Sequence, residues 1–404
     1  MNSIVAFTRL VICFFLFSWS ALAKDGDSGF EAGGYIRGGG GYADNGNLRQ
    51  YTLGLPLQGF TLGNSIDTFS LLFLRYRTPS IEGTRWTIGY TPSYWSSRTD
   101  LAAPGEYRTA QAYIEYGGVS QDDLKVWIGR RLLRSDVYIV DTYYLDHGGY
   151  SPYTNNGFGL MNLDLGVGKL SAAFFQGSRY DTPTDNGNIP KRLVLELDKI
   201  DVGSGGSLRF LAGFYSKVAR TTAPGASLSA QYDQQNFPLS GMTNSIVFQR
   251  SNNCASLDLS FGPSGSSLNC GKGFRIIDFV NWQHERWGGQ AIAMYSQEKF
   301  KEQTDISGWS IGGRVSYDIS NNLKIQAELG ATARRNEGEN LQMLRKATLA
   351  LATGLEPGFW SRPELRLYIS FFNWNDSARI SNDFHGKSDI SAGVQFETWW
   401  GSPM

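Results

Sequence analysis

The stretch from Ser391 to Trp400 divides by alternate positions, with Ala392, Val394, Phe396, Thr398 and Trp400 on one side and Ser391, Gly393, Gln395, Glu397 and Trp399 on the other. A period of two means a strand with two unlike faces. The pattern recurs. In WSIGGRVSYDI, Ser310, Gly312, Arg314, Ser316 and Asp318 oppose Trp309, Ile311, Val315, Tyr317 and Ile319. In LKIQAELGATAR, Lys324, Gln326, Glu328, Thr332 and Arg334 oppose Ile325, Ala327, Leu329, Ala331 and Ala333. Further segments of this kind are FSLLFLRYR, WTIGYTPSY, YRTAQAYIEY, LDLGVGKLSAAFF, LRFLAGFYS, QAIAMYSQ, ATLALATG and ELRLYISFF, separated by turn signals such as Asn321-Asn322 and Gly203-Ser204-Gly205-Gly206. No linker, charge block or helix-period stretch interrupts them, so one all-β domain is expected over residues 24–404.

Residues 1–23 read as a secretory signal: a basic start at Arg9, an apolar run from Leu10 to Trp19, and a small-residue exit at Ala21-Leu22-Ala23. An exported chain with no apolar run long enough for a membrane helix can still cross a membrane as a closed barrel. Aromatic residues make up 14% and glycines number 48, a composition that suits many strands and turns. A soluble sandwich would also alternate, but single-core sandwiches rarely run to this length. Aromatic residues at strand ends resemble interfacial girdles, so an antiparallel transmembrane β-barrel of about sixteen to eighteen strands is expected, with the rest of the chain in long external loops.

If the apolar faces meet lipid, the polar faces line a lumen. Trp399 then lies among lumenal neighbours, and the same parity groups Trp360 with Arg362, Glu364, Arg366 and Ser370, Tyr35 with Arg37, and Phe69 with Asp67, Arg75 and Arg77. A pyranose has flat CH-rich faces and a rim of hydroxyls. Aromatic plates suit the faces, and charged groups suit the rim. A line of such plates lets a sugar chain pass from one to the next without a deep well. The competing reading makes these rings girdle residues or lumen filling.

Charge excludes some partners. Lys plus Arg and Asp plus Glu each number 37, which gives no polyanion or nucleic-acid footprint. Enzyme chemistry lacks its parts: only His147, His284 and His385 are available, and there is no zinc spacing or cofactor motif. Gly38 to Gly41 follow no βαβ pattern and suit strand packing. Cys254 and Cys270 bracket a Ser/Gly/Asn-rich stretch and, in an exported chain, read as a disulfide, with two free thiols as the alternative.

The segments WIGRRLLRSDVYIVDTYYLDHGG, GLMNLDLGVGKLS, IDVGSGGSLRF and FWSRPELRLYISFFNWND, with the terminal Trp399-Trp400, resemble in order the maltoporin family of outer-membrane sugar porins. The resemblance spans the chain beyond the signal. It implies an eighteen-stranded barrel, assembled as a homotrimer in outer-membrane lipid, that passes maltose, maltodextrins or related oligosaccharides by facilitated diffusion. It places Tyr35, Phe69, Trp360 and Trp399 on an aromatic slide, with Trp95 as the Trp that reaches in from a neighbouring subunit and Ile246 or Phe248 near the remaining slide position. The inward-folded third loop corresponds to Leu132 to Gly149, with Arg134, Asp136, Asp141 and Tyr143 at constricting positions; Arg37 and Arg108 match the ionic track.

Departures concern specificity. Thr61 and Leu71 stand where the family usually has Arg and Glu, Tyr138 replaces a His, the cysteine pair is not in the first loop, and four residues follow Trp400. Alternation in YRTAQAYIEY groups Arg108 with Ala110, Ala112 and Ile114, so only a bulge or a loop position would turn it to the lumen. A general or ion-selective porin shares the barrel but has no need of aligned lumenal rings.

Overall fold

Backbone polar groups need partners wherever water is absent, and the alternating segments supply them to one another by pairing edge to edge. The computed structural model describes residues 28–401 apart from 47, 55–59, 66, 97–104, 119–123, 132–135, 140–141, 147–155, 177–190, 217–223, 254, 256, 258–270 and 301–303; within 136–146 only the backbone is described. The strands begin with β1 (Gly29–Ala43), β2 (Thr68–Arg77), β3 (Arg85–Ser96), β4 (Glu106–Gly117), β5 (Lys125–Arg130), β6 (Asp136–Ile139), β7 (Thr142–Asp146), β8 (Asn156–Asp164), β9 (Lys169–Gln176) and β10 (Lys191–Gly203). They continue with β11 (Gly206–Tyr215), β12 (Gly225–Gln235), β13 (Met242–Asn253), β14 (Gly271–His284), β15 (Trp287–Lys299), β16 (Ile306–Asp318), β17 (Leu323–Asn336), β18 (Gln342–Gly354), β19 (Glu364–Trp374) and β20 (Ser388–Trp400). A short helix, α1 (Asp376–Ser381), precedes the last strand.

All but β6 and β7 form one antiparallel sheet of 18 strands. Because β1 pairs with both β2 and β20, the sheet closes into a barrel without a free edge. The expected barrel and its strand number are thus both present. The first strand begins and the last strand ends at the end of the barrel where connections such as 165–168, 285–286 and 319–322 are short; the strand ends joined by the longer connections 131–155, 177–190 and 254–270 lie at the other end.

Burial is inside out relative to a water-soluble protein. On β19 the polar parity is enclosed (Glu364 2%, Arg366 0% and Ser370 0% exposed), while the apolar parity is bare (Leu365 49%, Leu367 58% and Ile369 54%). A sandwich would reverse these values. Two bands of outward rings flank the apolar belt. Trp86 with Tyr116 (4.8 Å) and Trp287 with Tyr317 (4.6 Å) lie at the short-turn end; Phe158 with Phe174 (5.5 Å) and Phe274 with Tyr295 (5.5 Å) lie at the other.

The segment LDLGVGKLSAAFF is not one strand. Asp164 ends β8, its carboxylate accepts from the Gly166 N–H at 2.7 Å, and Gly166 takes a φ of +77°, so the chain reverses into β9. Trp360, too, lies off the strand: β19 begins at Glu364, and the preceding residues form a connection folded toward the lumen.

The first connection, 44–67, enters the barrel. Glu328 accepts from the Leu62 N–H (3.0 Å), Gln395 accepts from the Gly63 N–H (3.1 Å), and the Thr348 hydroxyl donates to the Leu62 carbonyl (3.1 Å). Lumenal side chains thus take the place of a neighbouring strand for this backbone. Phe60 lies on the paired glycines Gly312 and Gly330, where a Cβ would meet its ring at 2.6 and 2.2 Å. Tyr51, Leu53 and Phe60 complete one apolar cluster with Val247, Ile277, Phe279, Ile292 and Met294, which are the inward residues of β13, β14 and β15. Those strands carry apolar residues at the middle of their inner faces, where the first connection covers the wall.

Candidate functional site

Adjacent strands carry side chains of equal parity to the same face, so register decides which lumenal rings meet. Tyr35 of β1 stands opposite Trp399 of β20 and Leu71 of β2. Phe69 stands opposite Arg37 of β1 and Trp95 of β3. The rings Trp399, Tyr35, Phe69 and Trp95 therefore form a row across four neighbouring strands. Barrel strands are tilted, so a row that crosses them climbs the wall obliquely. Tyr35 lies 6.5 Å from Trp399 with nearly parallel planes (11°) and 6.0 Å from Phe69 at 54°.

Each ring is fixed by a charged neighbour. Tyr35 donates its hydroxyl proton to Glu397 at 2.8 Å. Glu397 also accepts from Arg362 (2.8 Å) and Arg366 (2.9 Å), and the Arg362 guanidinium lies 4.3 Å from the Trp399 ring centroid. Glu364 joins the same cluster through Arg366 (2.7 Å) and Lys324 (2.7 Å). Higher on the row Arg37 pairs with Asp67 and lies 5.6 Å from the Phe69 ring, and the Trp95 indole N–H donates to Asp67 at 3.2 Å. The resemblance would have Trp95 reach in from a neighbouring subunit; within its own chain its indole N–H is held by Asp67.

Trp360 lies on the connection before β19, which lumenal side chains hold at this end of the barrel. Asp318 accepts from the Gly358 N–H (2.8 Å), Gln283 accepts from the Phe359 N–H (2.8 Å), and Lys324 donates to the Gly358 carbonyl (2.7 Å). Phe359 is buried at 1% and meets Trp360 edge-on at 5.2 Å. The connection, not strand parity, presents Trp360, and Arg362 two residues later stacks on Trp399.

Arg108 is turned by a bulge. The β3–β4 register skips one residue between the pairs Thr91↔Gln111 and Pro92↔Thr109, so both Ala110 and Gln111 are buried and Arg108 falls on the side of Ala110. Arg108 pairs there with Glu106. Leu71 and Ala110 make a small apolar patch against Tyr35, Phe69 and Phe73, so the wall is uncharged at that point. Thr61 contributes its backbone carbonyl, which accepts from Gln395 at 3.4 Å.

Ile246 and Phe248 do not reach the lumen. They are 41% and 45% exposed on the outer face, and Val247 between them points inward. Asp136, Tyr138 and Tyr143 lie on the β6–β7 hairpin, described as backbone only, whereas Arg134, Asp141, Cys254 and Cys270 fall outside the described residues. The role of Glu397 as common partner was missed in the sequence. Its position two residues before Trp399, on the same parity, is the signal that could have revealed it.

Comparison with known proteins places this geometry in a family. The chain is 29% identical over 393 residues to a maltoporin of Hahella chejuensis, covering 92% of this chain and 93% of that protein. It is 28% identical over 308 residues to a maltoporin of Photobacterium profundum, covering 73% and 70% of the two chains. Among solved structures, its fold is similar to that of Pseudomonas aeruginosa OccK3 (TM-score 0.52, 8% identity, covering 96% and 98%) and OccK1 (TM-score 0.52, 10% identity, covering 92% and 99%). Residues 30–400 match the LamB porin family. A match that spans every barrel strand, together with a closed barrel whose polar faces line the interior, makes the chain a member of the LamB porin family: an integral outer-membrane channel, not an enzyme.

Proposed function

We propose that the channel passes oligosaccharides, of the maltose and maltodextrin type or related to it, by facilitated diffusion along the row Trp95, Phe69, Tyr35, Trp399 and Trp360. The observation that carries the reading is the register itself: four rings on the lumenal faces of adjacent strands, each with a charged partner beside it. Flat apolar plates meet sugar faces while Arg37 and Asp67 stand at the hydroxyl rim, and the enclosed Arg362 and Glu397 hold Trp399 and Tyr35 in place. Arg108, Arg134, Asp136, Asp141 and Tyr143 belong to the polar track and constriction, and the assembly is a homotrimer, both by family resemblance. The apolar patch at Leu71 thins the hydroxyl-binding rail on one wall, which supports a preference other than that of a standard maltodextrin channel.

Planar-bilayer recording tests this. Added maltose or maltohexaose should block the ion current, and Trp360→Ala or Trp399→Ala should weaken the block about tenfold or more, in line with about 1–3 kcal/mol per lost stacking plate. Open-channel conductance should hardly change. A wild-type current indifferent to glucose, sucrose, maltose and maltohexaose alike would overturn the reading in favour of a general porin.

A further inference from the structure

Five cations share one sector of the outer wall. Arg250 of β13, Lys272 of β14, Lys299 of β15, Arg335 of β17 and Arg345 of β18 all sit on the outward parity, exposed, near the long-loop ends of their strands. At the short-turn ends of these strands, the outward positions are uncharged: Met242, Trp282, Trp287, Ile325, Leu351 and their neighbours. The asymmetry sets this sector apart from a general scatter of surface charge.

Among the described residues none of the five is in an ion pair; Arg345 donates to the Met343 sulfur at 3.4 Å and the others have no polar side-chain contact. Lys272 and Lys299 stand directly opposite each other across β14 and β15. Like charges in that arrangement repel unless an anion lies between them. On these strands the described outward carboxylate, Asp278, sits at mid-strand and is engaged by Asn244 at 2.6 Å; Glu337 and Glu339 are exposed on the turn that joins β17 to β18, where Glu339 accepts from Asn336 at 2.8 Å and no ion pair joins either to Arg335 or Arg345.

We propose that this face binds the phosphate-bearing headgroups of glycolipids in the outer leaflet. The long-loop end of an outer-membrane barrel faces outward from the cell, so these side chains lie at the headgroup level of that leaflet. Lys and Arg there extend toward the interface and attract anionic groups, and guanidinium matches phosphate in charge and geometry. Outward aromatic residues between them, Phe274 and Tyr295, are 5.5 Å apart and provide an apolar seat for the upper acyl chain. The outcome is a lipid collar along β13–β18.

The test uses full-length protein purified in detergent, stripped of lipid, and supplied with bisphosphorylated lipid A or its dephosphorylated form at equal concentration. Retained lipid is read by native mass spectrometry. Wild type should hold the phosphorylated form at least about tenfold better. Arg250→Gln, Lys272→Gln, Lys299→Gln, Arg335→Gln and Arg345→Gln together should abolish that preference, while the set that exchanges Arg for Lys and Lys for Arg retains it. Heat-shifted gel mobility reports folding; if the five-fold variant does not fold, Lys272→Gln with Lys299→Gln must lower the preference. Equal retention of both lipids by wild type, an undiminished preference in the Gln variants, or displacement of the lipid by inorganic pyrophosphate at matched concentration would each overturn the proposal.

Discussion

At the residue scale, Glu397 is the position on which the aromatic row and the charged wall both depend. Its carboxylate accepts from Tyr35, Arg362 and Arg366, and Arg362 in turn covers one face of Trp399. Around Glu397 and Glu364 stand Lys324, Arg362 and Arg366, all with side chains almost wholly enclosed. Breaking a buried ion cluster by removing one member costs about 3–5 kcal/mol, because the remaining charges lose their compensation. Glu397→Gln is therefore expected to lower the thermal midpoint of unfolding. It also leaves the lumen one negative charge poorer, so the reversal potential in a salt gradient should shift toward anion preference. Sequence parity had already grouped Glu397 with Trp399 and Glu364 with Trp360. The convergence of two strands and a connection on one carboxylate was not legible, since period two states which way a side chain points but not what lies across the lumen.

At the element scale, the first connection is the feature that alternation did not foresee. Its contacts join residues 266 to 332 positions apart in the chain, from Leu62 to Glu328 and from Gly63 to Gln395. No local periodicity encodes such a pairing. One trace remains in the sequence: β14 places Ile277 and Phe279 on its inner face and Ile276 on its outer face, and an inward apolar residue in a water-filled barrel needs a cover. Gly330 provides the flat seat for Phe60. In Gly330→Ala the new methyl would lie 2.2 Å from Phe60 Cδ2, so the ring must leave, at about 1–3 kcal/mol for overpacking. Release of the connection should raise single-channel conductance and current noise. Tyr51 anchors the other end: its hydroxyl donates to Asp389 at 2.5 Å, and burial, reinforced by that carboxylate, pushes its pKa up from the usual tyrosine value. A raised value means that the neutral form is the one favoured in the folded state. The contribution is complete below about pH 10, the unfolded value, and is lost as pH rises through the folded one. Conductance should accordingly stay level from about pH 6 to 9 and increase only above about 10, whereas Tyr51→Phe removes this alkaline step. An increase that begins near neutrality would place the anchor elsewhere.

At the scale of the whole molecule, the fold was largely legible because its solvent is inverted. Most strands state clearly which face is apolar; β13–β15, apolar at mid-strand on both faces, do not. Closure through the β1–β20 pairing satisfies every strand edge, so nothing beyond strand number and turn position was needed to reach a barrel. What remained illegible was the path of the connections: Trp360 turned out to be placed by an inturned connection, and Arg108 by a one-residue bulge that reversed its parity. The inversion makes a sharp prediction. Ile369 is the middle residue of β19, 54% exposed on the outer face, with no cation or carboxylate beside it on that parity. On a surface that meets water, Ile369→Arg would change stability by less than about 0.5 kcal/mol. Against hydrocarbon at mid-depth the same change should cost about 2–4 kcal/mol, with the loss shrinking as the substitution is moved to Leu365 near the strand end. Guanidinium unfolding of vesicle-embedded protein, followed by tryptophan fluorescence, separates these outcomes. A flat profile along Leu365, Leu367 and Ile369 would mean that this wall faces water or protein, and the assignment of the opposite face to the solute path would lose its physical basis.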